Sequence, residues 1–291
     1  MSDSLIPSGG SIDQMPRVTP DWLALREDAD AAARSVELAD TVHHRLAAPG
    51  PPDGARPVII HDLGCGTGSM GRWLASRLPG PQHWIMYDRD PDLLERARGG
   101  MTDAAADGAP VTVETRQHDV TALTADDFRG AALVTASALL DLLTAEEIGR
   151  IAATCAGAAC PALLTLSVSG RVELTPDDPL DAEIAAAFNA HQRRAVGDRR
   201  LAGPDAVAAA VDAFARNGVA TSVRSSPWLL GPATADLTLE WLTGWLDAAV
   251  EQRPELAGPV SAYAGRRRSD LAEGRLRVVV GHDDLLAGSP R

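Results

Sequence analysis

An α/β fold is what the sequence predicts, and three observations carry that expectation. Val58–Leu63 is a short β-branched and apolar run placed after Pro57. Gly64, Gly66 and Gly68 alternate directly behind it, and a helical pattern opens at once with Met70, Trp73, Leu74 and Leu78. Strand, glycine loop and helix in that order make half of a βαβ unit of a parallel sheet. The chain has 291 residues, enough for one α/β domain of about 200–250 residues with a helical addition.

The glycine loop is the informative segment. Glycines let the backbone take unusual dihedrals and approach a ligand closely, and free N–H groups at a helix start suit an anionic or polar group. Gly66-Thr67-Gly68-Ser69-Met70-Gly71 satisfies the dinucleotide pattern G-x-G-x-x-G, with Asp88 at about the right distance downstream. In that pattern the first glycine closes the strand. Here Gly64 does so, and the third position then falls on Ser69. The loop is better described as Asp-x-Gly-x-Gly-x-Gly beginning at Asp62, and an acid there would repel a pyrophosphate.

The remaining elements follow in order. Residues 1–18 are rich in Ser, Gly and Pro and are expected to be a disordered tail. Residues 19–56 form a helical cover and linker: Thr19-Pro20-Asp21 starts a helix with Trp22, Leu25, Ala29, Val36, Ala39 and Leu46 as apolar positions, and Pro49–Pro57 links it to the core. His83–Asp88 is the second strand, ending on an acid, and Pro91 with its flanking acids opens the next helix. Val111–Arg116 alternates as strand three and is followed by Gln117-His118-Asp119-Val120. Ala131–Thr135 is strand four, and its loop runs through Asp141 into a helix where Thr144 and Glu147 have capping-box spacing.

Pro161–Val168 is strand five, and a helix over Pro179–Val196 carries Phe188 and His191. A helix from Pro204 to about Arg216 ends at Gly218, Val219–Val223 is strand six, and Leu276–Val280 is strand seven. Between the last two lies a long helical stretch with Leu237, Trp241, Trp245 and Ala248 along one face. Two tryptophans at i and i+4 are read first as core.

Composition excludes several classes. The net charge is −13 and the chain contains no lysine, so there is no Walker lysine, no Schiff-base lysine and no Tyr-x-x-x-Lys pair. Counterion release on nucleic acid needs a basic face, which this balance argues against. Arg266-Arg267-Arg268 is the one dense basic run, and with Asp270 and Glu273 following it reads as a solvated helix face. Three cysteines, Cys65, Cys155 and Cys160, give neither a disulfide framework nor a zinc pattern and read as buried thiols. No run approaches the roughly 20 apolar residues of a membrane span, and the polar start is unlike a signal peptide. A cytoplasmic protein without membrane attachment is therefore expected.

Asp62–Gly68, the segment Tyr87-Asp88-Arg89-Asp90-Pro91, the pair Asp119-Val120 and the strand-four loop from Thr135 together resemble the class I S-adenosylmethionine-dependent methyltransferases over residues 57–168. The resemblance implies a Rossmann-like seven-stranded, mostly parallel sheet with strand seven antiparallel and helices on both faces. In that arrangement a core over 57–291 carries helical insertions at about 175–200 and 227–273, and a first helix like this one packs across the cofactor mouth or simply covers the sheet. The implied cofactor is S-adenosyl-L-methionine, held by Asp62, Gly64, Cys65, Gly66, Thr67 and Gly68, by Asp88 and Arg89 at the ribose, and by Asp119 and Val120 at the adenine. Backbone carbonyls of Thr135, Ala136 and Ser137 would hold the methionine ammonium.

This chain has Ala132 where the family commonly has Asp, and Asp141 where small-molecule enzymes often carry His, which leaves the acceptor open. Asp141 and His191 are the candidate catalytic residues, and no metal site is expected. The activity implied is methyl transfer to a small-molecule acceptor by in-line displacement, with no nucleic-acid partner. The insertion between strands six and seven suits a pocket cap or a homodimer face. A cofactor-binding regulatory protein without catalysis and an NAD(P)-dependent oxidoreductase are the alternatives.

Overall fold

The computed structural model describes residues 18–47 and 56–288. The expected tail, apart from Val18, and the run Pro49–Gly54 lie outside the described residues. The chain opens with α1 (Pro20–Ala33) and α2 (Val36–Leu46). There follow β1 (Val58–Leu63), α3 (Ser69–Ala75), β2 (Gln82–Asp88), α4 (Pro91–Gly100), β3 (Val111–Gln117), β4 (Leu133–Ser137), α5 (Ala145–Gly157) and β5 (Ala162–Thr175). Next come α6 (Asp181–Gln192), the short pair β6 (Ala195–Val196) and β7 (Arg199–Arg200), and α7 (Ala206–Arg216). The last elements are β8 (Thr221–Ser225), β9 (Trp228–Leu230), α8 (Ala235–Gln252), α9 (Ala257–Ala272) and β10 (Arg277–Ala287).

The main sheet runs β3-β2-β1-β4-β5-β10-β8. β1 to β5 are parallel, and β10 is antiparallel to both β5 and β8. This is the mixed, mostly parallel sheet with a reversed strand seven that the resemblance implied. One strand is additional. β10 is long enough to pair twice: Asp283–Ala287 lies against β8, while Val278–Val280 lies against β9, with a register shift between Val280 and His282 on the β5 side. The inserted stretch 227–273 therefore begins as sheet before it becomes helix.

Alternation along the strands divides the core in two. Ile85 and Tyr87 of β2 face the α5 and α7 side with Leu164 and Phe214, whereas Trp84 and Met86 face α2, α3 and α4 with Leu38 and Leu74. A third cluster joins α6, α8 and α9 to β9 and the first half of β10, with Trp228, Trp241, Trp245 and Tyr263 in it. Local signals set the helix starts. Thr19 caps α1, Asp90 caps α4 ahead of Pro91, and Thr144 with Glu147 forms the expected capping box of α5.

Two expectations are corrected. The single helix expected from Thr19 to Leu46 is two, because Arg34 leaves helical geometry and Ser35 caps a new helix by accepting from the Leu38 N–H. The basic run is not a wholly solvated face. Arg267 is 1% exposed, with its guanidinium on both carboxylate oxygens of Asp181 and its plane 4.9 Å from the Tyr263 ring. Tyr263 Oη also donates to Asp181 at 2.6 Å. The reason is tertiary: α9 turns that arginine onto the start of α6, where a carboxylate meets it.

A buried acid ties the layers together. Asp284 accepts from the Ser35 N–H at 2.7 Å, the Leu166 N–H at 2.7 Å and Ser226 Oγ at 2.6 Å. It thereby joins the start of α2, the middle of β5 and the turn before β9. Burial pushes its carboxyl above the usual range, and these three donors oppose that shift.

Candidate functional site

A cavity of about 470 Å³ opens at the carboxyl ends of β1, β2 and β4. That is where open parallel sheets bind ligands, and the size lies within the range of small-molecule pockets, roughly 300–1,000 Å³. It has two ends of different character.

The loop end is built by β1, β2 and the segment after β3. Gly64, Gly66 and Gly68 all have positive φ, at 62°, 55° and 85°. A Cβ on Gly66 would stand 3.1 Å from Leu23 Cδ1 of α1, and one on Gly64 would stand 3.0 Å from Leu139 Cδ1. The loop is thus both conformationally committed and closely covered. Asp88 Oδ2 accepts from the Gly66 N–H at 2.9 Å and Oδ1 from the Asp90 N–H at 3.0 Å. Those bonds fix the carboxylate against the loop while leaving each oxygen a lone pair for a ligand. Asp119 Oδ1 accepts from the N–H and hydroxyl of Thr121, so it caps the short turn Val120–Ala122 while lining the cavity. Cys65, Thr67, Arg89 and Val120 line the same end.

Behind the loop lies a buried pair of incompletely satisfied charges. Asp62 accepts from Thr135 Oγ1 at 2.7 Å through Oδ1, and its Oδ2 has no partner among the described residues. Burial raises its carboxyl to about 7, with Asp88 adding to the rise and Thr135 and Arg34 opposing it. Arg34 is buried and donates through Nη2 to Ser69 Oγ at 3.0 Å and Ser137 Oγ at 3.1 Å, while Nε and Nη1 have no hydrogen-bond partner among the described residues. Burial pulls its pKa down. A buried acid and base that each keep atoms without a hydrogen-bond partner among the described residues, with Ser69 and Ser137 between the arginine and the cavity, fit a zwitterionic amino-acid group. The positive-φ glycines and the fixed carboxylate of Asp88 fit an adenosine. S-adenosylmethionine carries both.

The aromatic end lies on the β5 and β10 side, under α1, α6 and α8. Phe188, Trp228, Trp241, Val280 and His282 line it, along with Leu142 of the strand-four loop. Arg26 of α1 is held by Asp30, Nε to Oδ2 at 2.9 Å and Nη2 to Oδ1 at 3.2 Å, and Trp228 Nε1 donates to the same Asp30 at 3.0 Å. Ala138 and Leu166, both lining the cavity, hold φ of 51° and 55°. Such non-glycine outliers cost on the order of 1–3 kcal/mol each and collect at functional sites.

Most of the sequence-derived site residues meet here. Asp62, Gly64, Cys65, Gly66, Thr67, Asp88, Arg89, Asp119, Val120, Ser137 and Asp141 all line the cavity, and Gly68 caps α3 beside them. Thr135 and Ala136 do not line it. They sit one layer back in the β4 ladder between β1 and β5, where Thr135 serves by holding Asp62. Asp141 keeps its place at the cavity, and burial raises its pKa.

His191 stands apart from these residues. It does not line the cavity: its Nε2 faces Glu251 Oε2 of α8 at 3.2 Å without hydrogen-bond geometry, and its Nδ1 lies 3.3 Å from Arg194 Nη1. Burial and Arg194 lower its pKa. The helix that turns Phe188 into the cavity carries His191 a turn further on, onto α8. Sequence reasoning missed Arg34, the Arg26–Asp30–Trp228 group and His282. The one available signal was polar: Gly281-His282-Asp283-Asp284 interrupts an apolar strand. Trp241, read as core, stacks on Trp245 at 5.3 Å yet also reaches the cavity wall.

Among the described residues no group of His, Cys, Asp and Glu is placed to hold a metal ion, and no helix is long and apolar enough to cross a membrane.

Parts of this chain are similar to known proteins. Residues 60–161 match a family model described as a methyltransferase domain. The biotin biosynthesis bifunctional protein BioCD of Bordetella avium (strain 197N) is 43% identical over 63 residues, which is 22% of this chain and 13% of that protein. The match therefore spans only a small part of that relative's length. Among solved structures, a cyclopropane-fatty-acyl-phospholipid synthase-like protein from Lactobacillus casei ATCC 334 shares the fold with a TM-score of 0.50 at 16% identity, over 94% of this chain and 96% of that one. A SAM-dependent methyltransferase from Geobacter sulfurreducens in complex with S-adenosyl-L-homocysteine is also similar, with a TM-score of 0.40 at 16% identity over 94% and 99% of the two chains.

Proposed function

We propose that this chain is a class I S-adenosylmethionine-dependent methyltransferase, a reading supported by its match to a methyltransferase domain over residues 60–161, and that it methylates a small-molecule acceptor enclosed at the aromatic end of its cavity. When bound, the cofactor supplies an electrophilic methyl group on a sulfonium whose leaving thioether is neutral. Asp88 accepts from the ribose hydroxyls, a charge-assisted contact stronger than a neutral one. Asp119 accepts from the adenine amino group and Val120 packs on the ring. Asp62 and Ser137 receive the ammonium, and Arg34 the carboxylate behind Ser69. Gly64, Gly66 and Gly68 let the backbone approach, with Cys65, Thr67 and Arg89 walling the pocket.

One observation carries the small-acceptor reading: the polar loop end and the apolar aromatic end are one continuous cavity, roofed by α1 through Trp22, Leu23 and Arg26. A roofed site of this size aligns two small reactants and excludes water, and alignment alone is worth roughly 7–11 kcal/mol. The insertions over about 175–200 and 227–273 belong to the core as its acceptor-side wall. A charge of −13 disfavours a nucleic-acid acceptor.

Calorimetric titration with S-adenosylhomocysteine, with NADH as control, tests the cofactor. Binding of NADH alone would replace the reading with an oxidoreductase. Transfer of labelled methyl from the cofactor into a metabolite extract tests the reaction. Cofactor binding with no transfer into any extract fraction would make the chain a binder rather than an enzyme.

A further inference from the structure

The aromatic end contains a polar group that nothing above employs. His282 stands in the middle of β10, is 4% exposed and lines the cavity. Its Nδ1 lies 3.0 Å from the Val280 carbonyl oxygen. A carbonyl only accepts, so Nδ1 carries the proton and Nε2 of the neutral ring is a bare acceptor. Nε2 has no hydrogen-bond partner among the described residues. Trp228 packs on the imidazole at 5.0 Å with a 48° tilt, and Trp228 is itself fixed by Asp30. The ring therefore has a set tautomer and a set orientation, the two properties a recognition group needs.

The other charged groups at this end are committed or distant in role. Arg26 is bound to Asp30 and covers the Trp228 face at 5.0 Å. Asp141 and Arg194 line the wall from the strand-four loop and the end of α6. On β10 itself, Asp284 is occupied by three donors. Phe188, Trp228, Trp241 and Val280 make much of the apolar wall at this end. A fixed acceptor beside an aromatic wall selects one kind of ligand.

Resting on the methyl-transfer reading, we propose that His282 determines acceptor specificity, by taking a hydrogen bond through Nε2 from the hydroxyl of a flat aromatic compound held among Phe188, Trp228 and Trp241. A phenolic or enolic hydroxyl suits the site better than an alkanol. Burial and the nearby Arg26 hold the imidazole at about 4, so it is a weak base that pairs best with an acidic donor. The same Arg26 charge favours negative charge on an oxygen placed nearby.

The test uses the full chain saturated with S-adenosylhomocysteine and two probes that differ by one donor, 2-naphthol and 2-methoxynaphthalene. Tryptophan fluorescence or calorimetry reads their dissociation constants. 2-Naphthol is expected to bind about tenfold more tightly, the scale of one hydrogen bond. In His282→Asn, whose amide can still donate to the Val280 carbonyl but lacks the outer nitrogen, the preference is expected to vanish while S-adenosylhomocysteine binds as before. His282→Phe serves as the second variant, with the same expectation. Equal affinity of the probes for the unmodified protein, no binding of either, or a preference that survives in the variants would overturn the proposal. Failure of S-adenosylhomocysteine itself to bind would instead remove the methyl-transfer reading beneath it.

Discussion

The loop end and the aromatic end of the cavity are built by opposite means. At the loop end the acids make contacts that are local or join adjacent strands, with Arg34 reaching in from the end of α1: Asp88 holds Gly66 and Asp90, Asp119 holds Thr121, and Thr135 holds Asp62 across neighbouring strands. At the aromatic end the contacts cross the whole chain. Trp228 reaches Asp30, and behind the wall Arg267 of α9 reaches Asp181 at the start of α6. The lesson is that a fixed ligand is met by a compact stretch of backbone, whereas a variable one is met by side chains gathered from elements far apart in sequence. The two ends are expected to respond differently to perturbation.

The largest effect is expected where α9 is pinned to α6, behind the aromatic end. Arg267→Ala leaves Asp181 partly buried without its cation, and breaking such a pair costs about 3–5 kcal/mol. Denaturant titration should show that loss. Binding of S-adenosylhomocysteine by the folded fraction should be unchanged, and a parallel loss of cofactor affinity would abolish the contrast between the ends. Next in size, Asp88→Ala is expected to weaken S-adenosylhomocysteine by about 1.5–3 kcal/mol, the scale of a charged hydrogen bond. An unchanged dissociation constant in calorimetry would remove Asp88 from the site.

Acid sharpens the comparison, because the two ends titrate with opposite sign. His282 is lowered from 6.5 to about 4. The unfolded chain therefore binds the extra proton first, and stability is lost as pH falls from 6.5 towards 4. Asp62 is raised from 3.8 to about 7. Here the folded chain holds the proton, and stability is gained as pH falls from 7 towards 4. Urea midpoints of the cofactor-free protein at pH 7.5 and pH 5 should separate them, each contributing on the order of 2 kcal/mol. His282→Phe should flatten the acid loss and Asp62→Asn should steepen it. A change in the same direction for both would contradict the assignment. The smallest effect is expected from Thr144→Ala, which removes the α5 cap for about 1 kcal/mol. Thermal unfolding should register it, with ligand affinities at both ends unaltered.

Legibility followed the same division. Asp62, the three glycines, Asp88 and Asp119 could be recognised in the chain because each sits at or just past the end of a strand, in a short pattern of acids and glycines. His191 misled for the converse reason. Helix α6 was legible, and so was Phe188, but which face turned inward depended on α8 and its Glu251. Arg34 hid in what looked like one continuous helix until Ser35 proved to cap a second. His282 and Asp284 stood in plain sight as a polar break in strand seven, although only the pairing of β10 with β5, β8 and β9 shows why the break is there.

By itself the sequence determined the alternation of strands and helices, the glycine turn with its acids, and the helix caps, since these rest on backbone geometry and on neighbours within a few residues. Tertiary structure alone decided which side chains close the aromatic end, why a triple-arginine run has a buried member, and which histidine meets the cavity. Those outcomes depend on residues some 80 to 200 positions apart being brought within hydrogen-bonding range. Burial, which comes only with the whole fold, then sets the charge of Asp62 and His282.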